Sequence, residues 1–178
     1  MPPSAATVPA RAAARSLLLA LMLVAPVAHG AEPRLIGSFR DWEAYKVEEA
    51  DGPACFMSSQ PKRQQGDFSK RGAVFALITH RPAEKAVGVV SLVAGYAFAK
   101  DTEVSVKVGQ RSFTLFTDTD TAWTRDEGTD RALVQAIRTA GSMVVRGTSS
   151  RGTRTVDTYS LAGSSAAYEA ISEACGVR

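Results

Sequence analysis

The sequence predicts a mainly β domain: a β-sandwich or half-open barrel of about eight strands with two helices, the C-terminal one packed on the sheet. Three observations carry this expectation. Short apolar or alternating runs recur past residue 38, each bounded by Gly, Pro, Asp or Ser. One pair of runs has the register of a tight hairpin. Two later segments carry apolar residues at helical spacing.

Taken in order, residues 39–47 form a first strand with Trp42 and Tyr45, stopped by the turn residues Asp51-Gly52-Pro53. Residues 54–60 form a second strand, with Cys55 and Met57 on one face, and 61–72 read as a polar loop. The Val- and Ile-rich runs 73–80 and 87–94 read as buried strands joined through Arg81-Pro82-Ala83-Glu84-Lys85. Residues 103–108 alternate strictly, Gly109-Gln110 is a Gly-first turn of the type II′ kind, and 111–115 alternate again. That turn sets Val108 opposite Arg111, Val106 opposite Phe113 and Val104 opposite Leu115, with the apolar pairs on one face. A helix capped by Thr129 or Asp126 runs over 130–140, with Leu133, Ile137 and Ala140 as its stripe and Gly141 at its end. A second helix starts at Ser164 or Ser165 and ends at Cys175, sharing a face between Tyr168, Ile171 and Cys175. Between the helices, 142–148 and 154–161 are strands joined by 149–153.

The first 30 residues have the pattern of a secretory leader. Arg11 and Arg15 precede an apolar run over 17–24, Pro26 breaks it, and Ala28 and Gly30 stand at −3 and −1 of a cleavage site before Ala31. The run is too short to span a bilayer, which takes about 20 apolar residues. The same holds for 86–99, which two glycines interrupt. The expected product is one domain, 31–178, in the periplasm or outside the cell, exported by the general secretory route. Loss of the leader's two arginines leaves 19 cations against 18 acids. That near-neutral balance weighs against nucleic acid as a partner. Arg outnumbers Lys fifteen to six and Asn is absent. This is the bias of a GC-rich bacterial genome, and it removes every N-glycosylation acceptor.

A series of short motifs runs in order through this domain. They include Asp41-Trp42, Cys55, Thr79-His80-Arg81-Pro82, Gly95-Tyr96, Leu115-Phe116-Thr117, Ala122-Trp123, a stretch over 147–153, Asp157-Thr158-Tyr159-Ser160-Leu161 and Ala174-Cys175. In that order they resemble the bacterial invasion-associated locus B family, from about residue 39 to 175. The resemblance implies a small exported β-rich protein without an assigned reaction, so no catalytic residue comes with it. The chain departs from the family pattern at Arg40, where many members have Gly, and near Tyr45 and Lys46, where many have an additional Cys.

Candidate chemistry is sparse. After cleavage His80 is the one histidine. It is expected to sit at a strand end making local hydrogen bonds, so that His80→Gln leaves the stability of a binding module nearly intact. A hydrolase would have to use His80 with Asp157 as its acid–base groups. Asp157 is otherwise a half-buried acid paired with Arg146 or Arg154. One His and two Cys do not make an ordinary zinc site. Asp118 and Asp120 alternate like part of a calcium loop but lack its Gly and bidentate Glu. No cofactor is called for.

Two groups are candidate binding surfaces. Trp42, Tyr96, Trp123 and Tyr159 are groove aromatics, with core packing as the competing role. Lys62, Arg63, Lys70 and Arg71 form a basic loop suited to an anionic membrane surface or lipopolysaccharide, with plain solvation as the competing role. The leading functional expectation is a non-enzymatic module that binds a protein or envelope component. A hydrolase and a purely structural envelope component are the alternatives. Cys55 and Cys175 are the only cysteines, and a lone pair in an exported chain usually bridges. They are expected to form a disulfide that staples the last helix to an early strand.

Overall fold

The computed structural model describes residues 32–177. The leader 1–30 and its cleavage site lie outside the described residues. The described residues form eleven strands and two α-helices. All strands belong to a single antiparallel sheet with β1 and β4 at its edges, so the two-sheet sandwich alternative falls.

The eight expected runs are all strands, and three strands were not expected. The expected first strand is divided. β1 (Arg34–Phe39) turns at Arg40 and Asp41 into β2 (Trp42–Glu49). Arg40 has φ 57°, in the left-handed region that favours Gly, and Gly is what many members of the resembled family carry there. β3 (Gly52–Ser59) follows. Next, β4 (Arg63–Gly66) interrupts what was expected to be a polar loop, pairing with the far edge of the sheet from Arg63↔Thr158 to Gly66↔Thr155. Its residues are exposed on both faces, so no apolar alternation announced it.

β5 (Phe75–Arg81) and β6 (Ala86–Val93) are joined through a 3₁₀ turn at Pro82–Glu84. The hairpin of β7 (Glu103–Val108) and β8 (Arg111–Asp118) has the predicted register, Val104↔Leu115, Val106↔Phe113 and Val108↔Arg111. β9 (Thr121–Trp123) is too short to show a period and is held by pairing to β6 and β8. β10 (Ser142–Thr148) and β11 (Arg154–Ser160) pair with each other, and β10 also pairs with β7.

Strands from opposite ends of the sheet order meet. Trp42 Nε1 on β2 donates to the Ser160 carbonyl at the end of β11 (3.2 Å), and the Asp41 amide donates to Ala162. Inside this curl lie Met57, Ile78, Val104, Leu115, Met143 and Tyr159, all essentially fully buried.

α1 (Glu127–Thr139) begins at the earlier of the two expected caps, three residues before 130. Asp126 is the cap, accepting from the Thr129 amide at 2.8 Å. Asp130 therefore falls in the first turn. It is buried and accepts from the Val90 amide and the Thr124 hydroxyl, which ties the helix to β6. α2 (Ser164–Ala174) packs on β1, β2 and β3 and against α1. Gly163 precedes it at φ 92°, where a Cβ would lie 1.9 Å from the Phe39 carbonyl, so no other residue fits.

Cys55 and Cys175 form a disulfide across 120 positions, with Cα atoms 5.9 Å apart. Both are buried, and the bond holds the end of α2 on β3. A helix of 11 residues is marginal alone. Replacing both cysteines with Ser is expected to lower unfolding stability by up to about 4–5 kcal/mol, measured by urea denaturation. Alkylation of the denatured, unreduced protein should add no label in intact mass; two labels per chain would contradict the bridge.

Candidate functional site

Arg71 and Asp157 meet in the interior. Two bonds of 2.7 Å join the guanidinium to the two carboxylate oxygens, and both side chains are 4% exposed. Arg71 Nε also donates to the Ala94 carbonyl (2.7 Å). The guanidinium lies against the rings of Tyr96 (4.9 Å) and Phe68 (5.5 Å), and the Tyr96 hydroxyl bonds that of Thr155 at 2.6 Å. The partner of Asp157 is therefore Arg71, not Arg146 or Arg154. β11 points Asp157 inward by strand alternation, and the segment after β4 delivers Arg71 to it.

Above this pair opens a cleft of about 790 Å³, walled by the segments 67–72, 95–97 and 149–155. Its lining includes Phe68, Lys70, Tyr96 and Arg151. The proposed binding residues thus divide. Lys70, Arg71 and Tyr96 converge here, with Arg71 as buried framework rather than free surface. Lys62 pairs with Asp41, and Arg63 stands exposed on the edge strand β4. Trp42 is fully buried, so it lines no surface, and Tyr159 is likewise core. Trp123 lies on the outer face of the sheet in a row with Phe116, Ser91 and Leu77. Arg151 and Phe68 were missed. Neither shows a period: Arg151 belongs to the motif stretch 147–153 and Phe68 to the basic loop, irregular segments that only the tertiary structure brings together.

His80 occupies a second centre. It is fully buried, with its Nδ1 accepting from the Gly88 amide (2.9 Å) and its Nε2 3.1 Å from Ser172 Oγ. Because Nδ1 accepts, the ring proton of the neutral imidazole sits on Nε2 and is donated to Ser172. A base that activates Ser172 would need the opposite arrangement, with an Nδ1 proton facing the Gly88 N–H. Asp157 does not orient the ring, because its carboxylate oxygens are held by Arg71. The two groups a hydrolase would have needed therefore belong to separate clusters. Tyr168 meets the His80 ring edge-on at 5.2 Å and, with Ser172, lines a groove of about 670 Å³ between α1 and α2. Of the groove's charges, Arg131 pairs with Glu127 and Arg138 with Glu169. Asp118 and Asp120 flank the β8–β9 turn and accept hydrogen bonds from the neighbouring Thr119 and Thr121.

Two outcomes follow from these clusters. Arg71→Ala leaves a buried carboxylate unpaired and is expected to cost about 3–5 kcal/mol, most of it recovered in Arg71→Met/Asp157→Leu, by urea denaturation. Equal stability of the single and double variants would refute the pairing as described. Desolvation lowers the His80 pKa from 6.5 to about 4. Between those values the unfolded chain binds the proton and the folded chain does not. The stability from neutral His80 is thus complete above pH 6.5 and is lost as pH falls towards 4, by up to about 3 kcal/mol. His80→Gln should flatten this dependence and, by loosening one buried and one part-buried hydrogen bond, cost about 1–3 kcal/mol at pH 7. Complete burial of His80 thus predicts a larger effect than the nearly neutral one expected for a strand-end histidine. Unchanged pH dependence in the variant would show that another group titrates.

Comparison with known proteins places this arrangement. No curated protein matches the sequence. The crystal structure of invasion associated protein B from Bartonella henselae superposes with a TM-score of 0.54 at 16% identity, covering 78% of this chain and 95% of that one. At that identity the likeness is one of fold. The sequence matches the family described as invasion associated locus B (IalB) protein over residues 42–172, from the buried Trp42 to the hydrogen-bond partner of His80. With the match covering most of the chain, the protein belongs to the invasion associated locus B family.

Proposed function

We propose that this is an exported, non-enzymatic envelope protein: a binding module that presents the cleft at Lys70, Tyr96 and Arg151 to a component of the cell envelope. One observation carries the reading. Cationic and aromatic side chains from three separate segments converge on one concavity, over a buried ion pair that holds its wall. Export is supported by the leader pattern and by a disulfide across the core, the chemistry of an oxidising compartment. Among the described residues no helix is long and apolar enough to cross a membrane. Family membership and the Bartonella neighbour, by its name an invasion associated protein, support a role at the cell surface. A binding role is favoured over hydrolysis by the direction of the His80–Ser172 hydrogen bond and by the engagement of Asp157 with Arg71.

Fractionation of the bacterial host with mass spectrometry of the N-terminus tests the first half. The expected form begins at Ala31 and is released with the periplasm or the medium; an intact Met1 in the cytosol would refute export. For the second half, Lys70→Ala/Arg151→Ala alters two exposed side chains and should keep the thermal midpoint of the parent. Its retention on isolated envelopes is expected to fall about tenfold, the effect of roughly 1.4 kcal/mol. Retention equal to the parent's would favour a structural component over a binder. Turnover of envelope material that His80→Gln abolishes would favour the hydrolase.

A further inference from the structure

Resting on that reading of the cleft, we infer that its ligand is an acidic saccharide, a sugar carrying phosphate or carboxylate groups. Charge is the first reason. Arg71 is engaged by Asp157 and Ala94, so the cations facing the cavity freely are Lys70 and Arg151. Both are exposed, and neither has an ion pair among the described residues. Asp67 is the one exposed acid in the lining, so the rim favours an anion.

The second reason is the wall between the cations. It offers hydroxyls from Ser150 and Thr153 and the rings of Phe68 and Tyr96. A sugar ring presents C–H groups on its faces and hydroxyls on its rim, and this mixture matches both. A fatty acyl chain finds no continuous apolar wall here, and a nucleic-acid strand finds no extended basic track. The volume, about 790 Å³, lies in the range that encloses drug-sized ligands, far more than a bare phosphate needs.

The third reason is pre-organisation. The 149–153 loop that carries Arg151 is closed on itself by Ser149 N to Thr153 O (2.9 Å) and Gly152 N to Ser149 O (2.8 Å). It is fastened across the cleft by Ser150 N to Ala97 O (2.8 Å). At the floor Gly72 N donates to Gly95 O, and a Cβ on Gly95 would fall 2.5 Å from Gly72 O. The two backbones are therefore packed directly on each other, an approach that only Gly at 95 permits, and this fixes the floor. A cationic cleft whose walls are already held by hydrogen bonds binds with little ordering of its own.

Calorimetric titration of the full mature protein decides the matter with four probes. They are an N-acetylglucosamine disaccharide bearing two phosphates, an oligogalacturonate, the same N-acetylglucosamine disaccharide without phosphate, and phosphatidylglycerol vesicles. At least one acidic sugar should bind, more weakly at about 0.5 M salt and about tenfold more weakly to Lys70→Ala/Arg151→Ala. Equal binding of the uncharged disaccharide would overturn the inference, as would binding of vesicles but of neither soluble sugar. If no probe binds, envelope retention separates the two ideas. Retention that still depends on Lys70 and Arg151 leaves the cleft as a site for another ligand, and retention that does not removes both.

Discussion

The Arg71–Asp157 pair is the constraint on which the upper half of the molecule depends. A carboxylate turned inward by strand alternation cannot stay charged in the interior without a partner. The partner arrives from a segment 86 positions away in sequence. Meeting it fixes the chain after β4 against the end of β6 through the Ala94 carbonyl. It also gives Tyr96 and Phe68 a cation to pack on. The cleft is the space left above this arrangement, and Arg71 lines it, so its shape follows from the ion pair.

The lower half depends on covalent and apolar contacts. α2 buries Ala167 and Ile171 on the inner face and is held at its end by Cys175. α1 buries Leu133 and Ile137 and is anchored at its start by Asp130 on the β6 backbone. Between the helices and β5 lies His80, whose two ring nitrogens are both engaged. Its neutral form is favoured by burial, and its proton points at Ser172 rather than away from it. This is the geometry of a packing residue that joins α2 to the sheet, and it separates the single imidazole of the domain from the acid it would need for hydrolysis.

Legibility in the sequence followed the physics of each element. The β7–β8 hairpin was readable to the residue because a Gly-first turn and strict alternation dictate its register locally. The helices were readable from their stripes, and of the two caps offered for α1 the structure takes Asp126. β4 and β9 were not readable. One has neither face buried and the other has three residues, so neither shows a period. At the cleft, Lys70, Arg71 and Tyr96 are legible as candidates, while for Trp42 complete burial decides for core packing over a groove role.

The sequence by itself determined the β-rich class, the hairpin register, the two helices, the cysteine pairing and the family, because alternation, turn chemistry, cysteine count and ordered motifs are properties of neighbouring residues or of composition. Only the tertiary structure decided that the strands form one sheet, that Arg71 rather than Arg146 or Arg154 neutralises Asp157, that His80 donates to Ser172, and that Arg151 stands across a cleft from Lys70. These depend on how far the sheet curls and on which distant segments its closure brings within hydrogen-bonding distance. No local pattern encodes that, because it is set by the simultaneous burial of all the inward-facing side chains.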